Sequence, residues 1–112
     1  MKEKDLDKYL LEIGRADLLT IDEEHELVKG VQQKGVDCEE MKRLEKTNAR
    51  FVLRVANQYK NRGITIWELV EAGEKGLRKA AMKYKLEYDF KFMSYAVWWV
   101  RQAMIQAIEE KK

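Results

Sequence analysis

The side chains of this chain that could do chemistry are concentrated in the segment FKFMSYAVWWVRQAMIQAI, residues 90–108. At about 100° per residue, a helix here would place four aromatic and amide side chains within about 60° of Tyr95: Trp98, Trp99, Gln102 and Gln106. Aromatic rings stack on unpaired bases, and a glutamine amide can read a base edge with a paired donor and acceptor. This face therefore predicts binding to single-stranded or locally opened nucleic acid.

The opposite face of the same helix is aliphatic and carries Met93, Val97, Val100 and Met104, while Phe92 falls at the margin of the aromatic face. A small helical bundle needs only one such face for its core, and the aliphatic face carries no group that demands a hydrogen bond. The tryptophans are therefore predicted to face outward. The alternative is a helix buried all round, in which two glutamines and two indole N–H groups would each need a buried partner.

Positive charge lies next to this aromatic face. Residues 1–47 hold 9 Lys and Arg against 13 Asp and Glu, whereas residues 48–112 hold 13 against 7. Six of these cations precede the aromatic helix in one stretch: Lys75, Arg78, Lys79, Lys83, Lys85 and Lys91. Alone, such a stretch is typical of a solvated surface, but beside aromatic residues it favours a nucleic-acid partner.

Catalytic and metal chemistry fit the sequence poorly. His25 is the only histidine and lies in an acidic segment, where we expect a solvated surface residue, and Cys38 has no second thiol to pair with. No Gly-rich phosphate loop or nucleophile arrangement is present. Glu68 and Glu71 lack His or Cys companions, so an acidic partner-binding face is expected there rather than a metal site. We predict no enzyme activity, no metal and no cofactor.

The elements that must position these residues are predicted to be helices. The chain has no proline, six glycines and 46% hydrophobic residues, which favours one all-α domain over residues 1–112, a compact bundle of about five helices. No apolar run approaches the roughly 18 residues of a membrane span. We therefore expect a soluble, cytoplasmic protein that contacts no membrane.

Local signals place the five helices. The first covers about 5–13, and the second begins with a Thr20/Glu23 capping box and ends at Gly30 or Gly35. The third helix opens with Asp37 and Glu40 and is broken at Gly63. The fourth helix is capped by Thr65 with Glu68. The fifth helix runs from about Phe92 to the end. Gly73 and Gly76 in the fourth are predicted to be sites of close approach to a neighbouring helix.

Three segments in this order and spacing resemble a known family: NARFVLRVANQYKNRG, IWELVEAGEKGLRKAAMKY and FKFMSYAVWWVRQA. They are similar to the second conserved domain of housekeeping-type bacterial sigma factors, the sigma-seventy family, over residues 46–112. Residues 1–36 resemble the short conserved region that precedes that domain. The resemblance implies a helical module, associated with the nucleoid, that binds RNA polymerase core. It would recognise the minus-ten promoter element and capture flipped bases of the non-template strand as the duplex melts.

The resemblance also implies roles for individual residues at the DNA. Trp98 and Trp99 would form a wedge at the upstream edge of the bubble, and Gln102 would contact the first base pair. Arg101 and Lys91 would hold phosphates. The flipped adenine of the second position would enter a pocket lined by Tyr95, Tyr84, Phe90 and Lys91. The flipped thymine of the last position would lie among Asn48, Phe51, Leu18 and Glu24, and Leu10 and Leu11 lie where the family contacts DNA just downstream.

The fourth predicted helix resembles the part of the family that docks on a coiled coil of the polymerase's largest subunit. The residues implied in this contact are Glu68, Leu69, Glu71 and Glu74. The family pattern continues beyond residue 112, so we expect either a part of a longer factor or a stand-alone module, and an anti-sigma factor is a further partner of such domains. The alternative from the residues themselves is a helical protein-binding adaptor whose aromatic stripe receives a partner helix.

Overall fold

The computed structural model describes residues 19–111, which form four α-helices and no strand. Helix α1 spans Ile21–Lys34, α2 Glu39–Gln58, α3 Ile66–Lys83 and α4 Phe92–Lys111. The all-α class is confirmed, with four helices in this part of the chain where the sequence predicts about five. The predicted helix at about 5–13 lies outside the described residues.

Local capping signals fix two of the helix starts. Thr20 accepts the Glu23 N–H while the Glu23 carboxylate accepts the Thr20 N–H, and Thr65 and Glu68 form the same reciprocal pair at the start of α3. Both boxes satisfy backbone donors that a helix N-terminus leaves without partners. Both predicted starts are therefore confirmed.

The predicted capping of α2 by Asp37 and Glu40 is wrong, and the helix begins slightly later than that pair implies. This helix begins at Glu39, and Cys38 at its N-cap makes no side-chain capping bond. The Glu40 carboxylate instead accepts a hydrogen bond from Lys34 Nζ at 2.5 Å, which ties the end of α1 to the start of α2. This ion pair raises the pKa of Lys34 and lowers the pKa of Glu40, chiefly through that hydrogen bond.

Helices α3 and α4 share the largest interface in the described part of the chain. The lack of a side chain at Gly76 allows this close packing, because a Cβ placed there would lie 2.5 Å from the Trp99 carbonyl oxygen. A Cβ at Gly73 would likewise lie 2.6 Å from Met104 Cε. Both predicted sites of close approach are confirmed. The two backbones can therefore pack tightly enough to fix where α4 presents its outer face.

The inner face of α4 follows the predicted aliphatic stripe with two corrections. Met93, Val100 and Met104 are buried, but Val97 is only partly buried and Phe92 is fully buried. Phe92 is the first residue of α4 and packs edge-on against Tyr84, which turns it inward despite its marginal position in the projection. In residues 19–111, no helix is long and apolar enough to cross a membrane.

Candidate nucleic-acid interface

Seven aromatic rings meet where α3 ends, the connecting segment 85–91 turns, and α4 begins. We call them the aromatic cluster: Tyr84, Tyr88, Phe90, Phe92, Tyr95, Trp98 and Trp99. Tyr84 lies at its centre, with ring centroids 5.2 Å from Tyr88 and 5.6 Å from Tyr95. These contacts are edge-on, the arrangement that complements the charge distribution of aromatic rings. The cluster is therefore an ordered packing of rings.

The cluster has a buried layer and a presenting layer. Tyr84 is 2% exposed and Phe92 is fully buried, whereas Phe90 is exposed and Trp98 is 58% exposed. Tyr88, Tyr95 and Trp99 are half-buried between the two layers. The outward direction predicted for the tryptophans holds fully for Trp98 and in part for Trp99.

The two neighbouring tryptophans lie edge to face. Their ring centroids are 5.2 Å apart and the planes meet at 88°, while Trp99 is also 6.4 Å from Tyr95. Trp99 packs against the core, so it supports its more exposed neighbour. Phe90 and Tyr88 form a second unit, stacked at 4.9 Å with 19° between the planes. The surface thus offers two flat aromatic elements to a ligand.

Helix α1 holds the segment that carries these rings. The Glu24 carboxylate accepts the Phe92 N–H at 3.1 Å and lies 3.4 Å from Lys91 Nζ, and Lys91 also donates to the Leu19 carbonyl. A carboxylate at the first amide of α4 satisfies a free donor and complements the positive end of the helix dipole. Gln32 donates to the Ala81 and Tyr84 carbonyls at 3.0 and 2.6 Å, which fixes the end of α3.

Positive charge borders the cluster. A surface depression of about 250 Å³ lies beside Trp99, with Val36 and Met82 as apolar walls and Arg78, Lys79 and Lys83 at its edge. Arg78 is paired with Glu45 at 2.8 Å, so its charge is partly neutralised. Arg101 donates to Gln58 at 2.7 Å, and its guanidinium keeps further donors for another acceptor.

Several residues predicted to contact a ligand are buried in this structure. Tyr84 is covered by its neighbours, Glu24 is 2% exposed and committed to α4, and buried Asn48 donates to the Leu44 carbonyl at 2.9 Å. They lie behind the surface and support it in this conformation. The predicted contacts Phe90, Lys91 and Gln102 are exposed, as is Phe51, which lies beneath the Arg54 guanidinium at 5.5 Å. Leu18, Leu10 and Leu11 lie outside the described residues.

The predicted polymerase-binding ridge lies on α3. Glu71 is exposed. Glu68 caps the start of α3 and pairs with Lys111 at 2.8 Å, and the hydrogen bond from Lys111 lowers the pKa of Glu68. Burial, reinforced by the Glu45 and Glu71 carboxylates, raises the pKa of Glu74 despite the opposing charge of Arg78. Leu69 is fully buried in the core, so the structure removes it from the surface that a partner could touch.

Sequence reasoning missed three residues of this site. Tyr88 was not singled out, although it sits among aromatic neighbours in KLEYDFK. His25 is a correction: it is half-buried, with Nε2 3.1 Å from the Tyr84 hydroxyl, instead of a solvated surface residue. Gln32 is the third missed residue. It lies seven residues after His25 on α1, and this spacing, which places both side chains on one helix face, is the signal that could have found them.

Within residues 19–111, no group of three or more His, Cys, Asp or Glu side chains is placed to hold a metal ion. What the geometry offers is stacking surface, cations and amides. Those are the means by which proteins hold single-stranded nucleic acid.

Two family models match this chain. Sigma-70 region 2 matches residues 44–112, and Sigma-70 factor, region 1.2, matches residues 6–36. Similar curated proteins are the RNA polymerase sigma factors SigA of Listeria monocytogenes and Listeria innocua, each 44% identical over 103 residues. SigA of a Bacillus species is 42% identical over 103 residues. These matches cover 92% of this chain and 27% of each relative, so the chain spans about a quarter of the length of the relatives.

Proposed function

This chain belongs to the sigma-70 family, and on that premise we propose that it acts in transcription initiation by recognising the minus-ten promoter element. Its role is to hold flipped bases of the non-template strand while the duplex opens, in complex with RNA polymerase core. The function is binding without catalysis. The proposed place of action is the cytoplasm, at the nucleoid.

The observation that carries the proposal is the exposed aromatic face with its buried support. Trp98 is 58% exposed and Phe90 is exposed, yet each ring packs against an aromatic neighbour, Trp98 against Trp99 and Phe90 against Tyr88. Extruding a base costs a few kcal/mol of stacking, and a protein ring returns about 1–3 kcal/mol per stacked base. Packing against these neighbours restricts each ring before binding, which reduces the side-chain entropy lost when a base stacks on it.

Each exposed element has a proposed place along the DNA. Trp98, supported by Trp99, replaces the lost stacking partner at the upstream edge of the bubble. Phe90 and Tyr95, with Tyr84 behind them, form the pocket for the adenine of the second position. Tyr84 is suited to this supporting role because burial, then the Glu24 charge, raises its pKa and keeps its hydroxyl a neutral donor.

Polar groups complete the proposed DNA surface. Gln102 contacts the first base pair, and Arg101 holds phosphate with the donors that Gln58 leaves unused. Lys91 supplies positive charge beside the pocket while anchored to α1. Phe51 is exposed and can take part in holding the last-position thymine, for which Asn48 and Glu24 act as buried supports.

Docking to the polymerase is proposed for the acidic side of α3. Glu71 is exposed there, and Glu68 and Glu74 extend the negative charge along the helix. An acidic ridge suits a coiled coil of the largest polymerase subunit that presents basic side chains. We expect Glu71→Lys to weaken binding to core enzyme while leaving binding to isolated DNA nearly unchanged.

A titration with three DNA probes tests the proposal. Fork-junction DNA with an unpaired TATAAT-type strand should bind more tightly than the fully paired duplex, and replacing the second-position adenine should cost about 1–3 kcal/mol. Binding should weaken steeply with salt because phosphates contribute to it. Equal affinity for all three probes would contradict the proposal, and tight binding of an amphipathic partner helix, nearly indifferent to salt, would favour the adaptor function.

A further inference from the structure

Within residues 19–111, the backbone of the segment between α3 and α4 makes few hydrogen bonds to the rest of the fold, although its Tyr88 and Phe90 rings pack against Tyr84. Residues 85–91 contain no helix or strand; one turn closes within the segment, where the Tyr88 N–H donates to the Lys85 carbonyl at 3.0 Å. The Phe90 carbonyl accepts from the Tyr84 hydroxyl, and Lys91 donates to the Leu19 carbonyl and pairs with Glu24 of α1. The position of the Phe90 and Tyr88 rings therefore depends on their packing against Tyr84 and on a small number of side-chain hydrogen bonds that hold the backbone of the segment.

One of these bonds is part of a chain that begins at His25. The Tyr84 hydroxyl donates to the Phe90 carbonyl at 2.7 Å, and His25 Nε2 lies 3.1 Å from the same hydroxyl oxygen. A phenol carries a single proton. Since that proton is directed to Phe90, His25 must be the donor to Tyr84, so its Nε2 carries hydrogen.

This donor fixes the direction of the Tyr84 hydroxyl. With His25 donating, the phenol oxygen serves as the acceptor and its proton is committed to the Phe90 carbonyl. Hydrogen bonds in such a chain polarise and strengthen one another. The His25 and Tyr84 rings also pack with centroids 5.5 Å apart, so the imidazole holds the phenol by contact as well.

We propose that His25 is a positioning residue of the base-binding surface, acting through Tyr84 to hold Phe90 and its stacked partner Tyr88 in place. The expected effect on base preference rests on the proposed function. The positioning of Phe90 and Tyr88 by His25 rests on the hydrogen-bond chain alone. This role gives α1 an indirect influence on which base the pocket accepts, through a residue 59 positions before Tyr84 in the sequence.

The test compares four variants of the full chain. His25→Phe keeps a ring and removes the donor, His25→Gln keeps an N–H donor at similar reach, and Tyr84→Phe removes the hydroxyl. Glu26→Gln is the matched control, since Glu26 is exposed on the same helix. For each variant we measure the ratio of affinities for fork DNA with adenine and with another base at the second position.

His25→Phe and Tyr84→Phe should each reduce this ratio by about 2- to 10-fold, the range of one hydrogen bond. Their double variant should lose no more than either single variant, because both break the same chain. His25→Gln should retain most of the ratio and Glu26→Gln all of it. An undiminished ratio in His25→Phe, or additive losses in the double variant, would overturn the inference.

A DNA-free measurement separates this inference from the proposed function. In proton spectra, the signals of the Phe90 and Tyr88 rings should shift in His25→Phe and stay in place in Glu26→Gln. If the wild-type chain does not distinguish the two forks, the proposed function fails, and the spectra then decide the positioning role. Unchanged Phe90 and Tyr88 signals in His25→Phe would refute it.

Discussion

A single methyl group at Gly76 should disturb the α3–α4 interface far more than one at Gly73. At Gly76 the new Cβ would lie 2.5 Å from the Trp99 carbonyl oxygen and 2.9 Å from its carbonyl carbon, both backbone atoms of α4. At Gly73 it would meet the end of the Met104 side chain at 2.6 Å and Val52 Cγ1 at 2.9 Å. A methionine end can swing aside, whereas helix backbone can move only as a unit.

The cost follows from these distances. Ordinary contact between heavy atoms is about 3.5 Å, so Gly76→Ala must separate the two helices locally by about 1 Å. Overpacking costs about 1–3 kcal/mol, and a clash with rigid helix backbone lies in the upper part of that range, about 2–3 kcal/mol; the better helix propensity of alanine returns about 1 kcal/mol. We expect Gly76→Ala to destabilise the fold by about 1–2 kcal/mol, and Gly73→Ala to stay within about 1 kcal/mol of wild type.

Thermal unfolding followed by circular dichroism measures both variants. For a domain of this size, about 1 kcal/mol corresponds to roughly 4–8 °C in Tm, so Gly76→Ala should melt roughly 5–15 °C below wild type. Gly73→Ala should melt within a few degrees of it. The packing argument would be refuted by Gly76→Ala melting at or above the wild-type temperature, or by Gly73→Ala being the less stable of the two.

Two further predictions concern carboxylates. Glu24→Ala should lower the free energy of unfolding by about 1–3 kcal/mol because the Phe92 N–H loses its acceptor. Glu24→Gln should lower it less, because an amide oxygen remains as an acceptor. Denaturant unfolding that finds both variants as stable as wild type would contradict this prediction. Glu74→Gln should stabilise the fold at neutral pH, because a raised folded-state pKa means that stability falls as pH rises through this carboxyl's titration. The gain should vanish as pH falls below the ordinary value of 4.5, and a gain that persists there would refute the assignment.

Elements whose signals are local could be predicted from the sequence. The capping boxes at Thr20 and Thr65 involve residues three apart, and the outward direction of Trp98 follows from helical spacing alone. The same rule failed at Asp37 and Glu40 because Lys34, on the preceding helix, takes the Glu40 carboxylate. A local pattern predicts a helix start only where no neighbouring element competes for the capping group.

The internal order of the site could not be predicted, since it depends on pairs distant in sequence. Glu24 and Phe92 are 68 residues apart, and no periodicity links them. Aromatic composition located the cluster, but only packing against α1 decides that Tyr84 is its buried centre while Phe90 is exposed. The burial of Leu69 could not be predicted for the same reason, because this residue follows Glu68, which caps α3 at the surface, and yet faces the core.

The most direct test of the central claim is the paired measurement of folding stability and fork-DNA affinity in Trp98→Ala. Because the side chain is 58% exposed, its loss should cost well below the roughly 3–5 kcal/mol of an emptied aromatic core position. Leu77→Ala, which removes a fully buried side chain, provides the control for a true core loss. Fork affinity should fall by about 1–3 kcal/mol, roughly 5- to 150-fold, with little change for paired duplex. A drop in Tm as large as that of Leu77→Ala, together with unchanged fork affinity, would contradict the proposal that this face holds the opened strand.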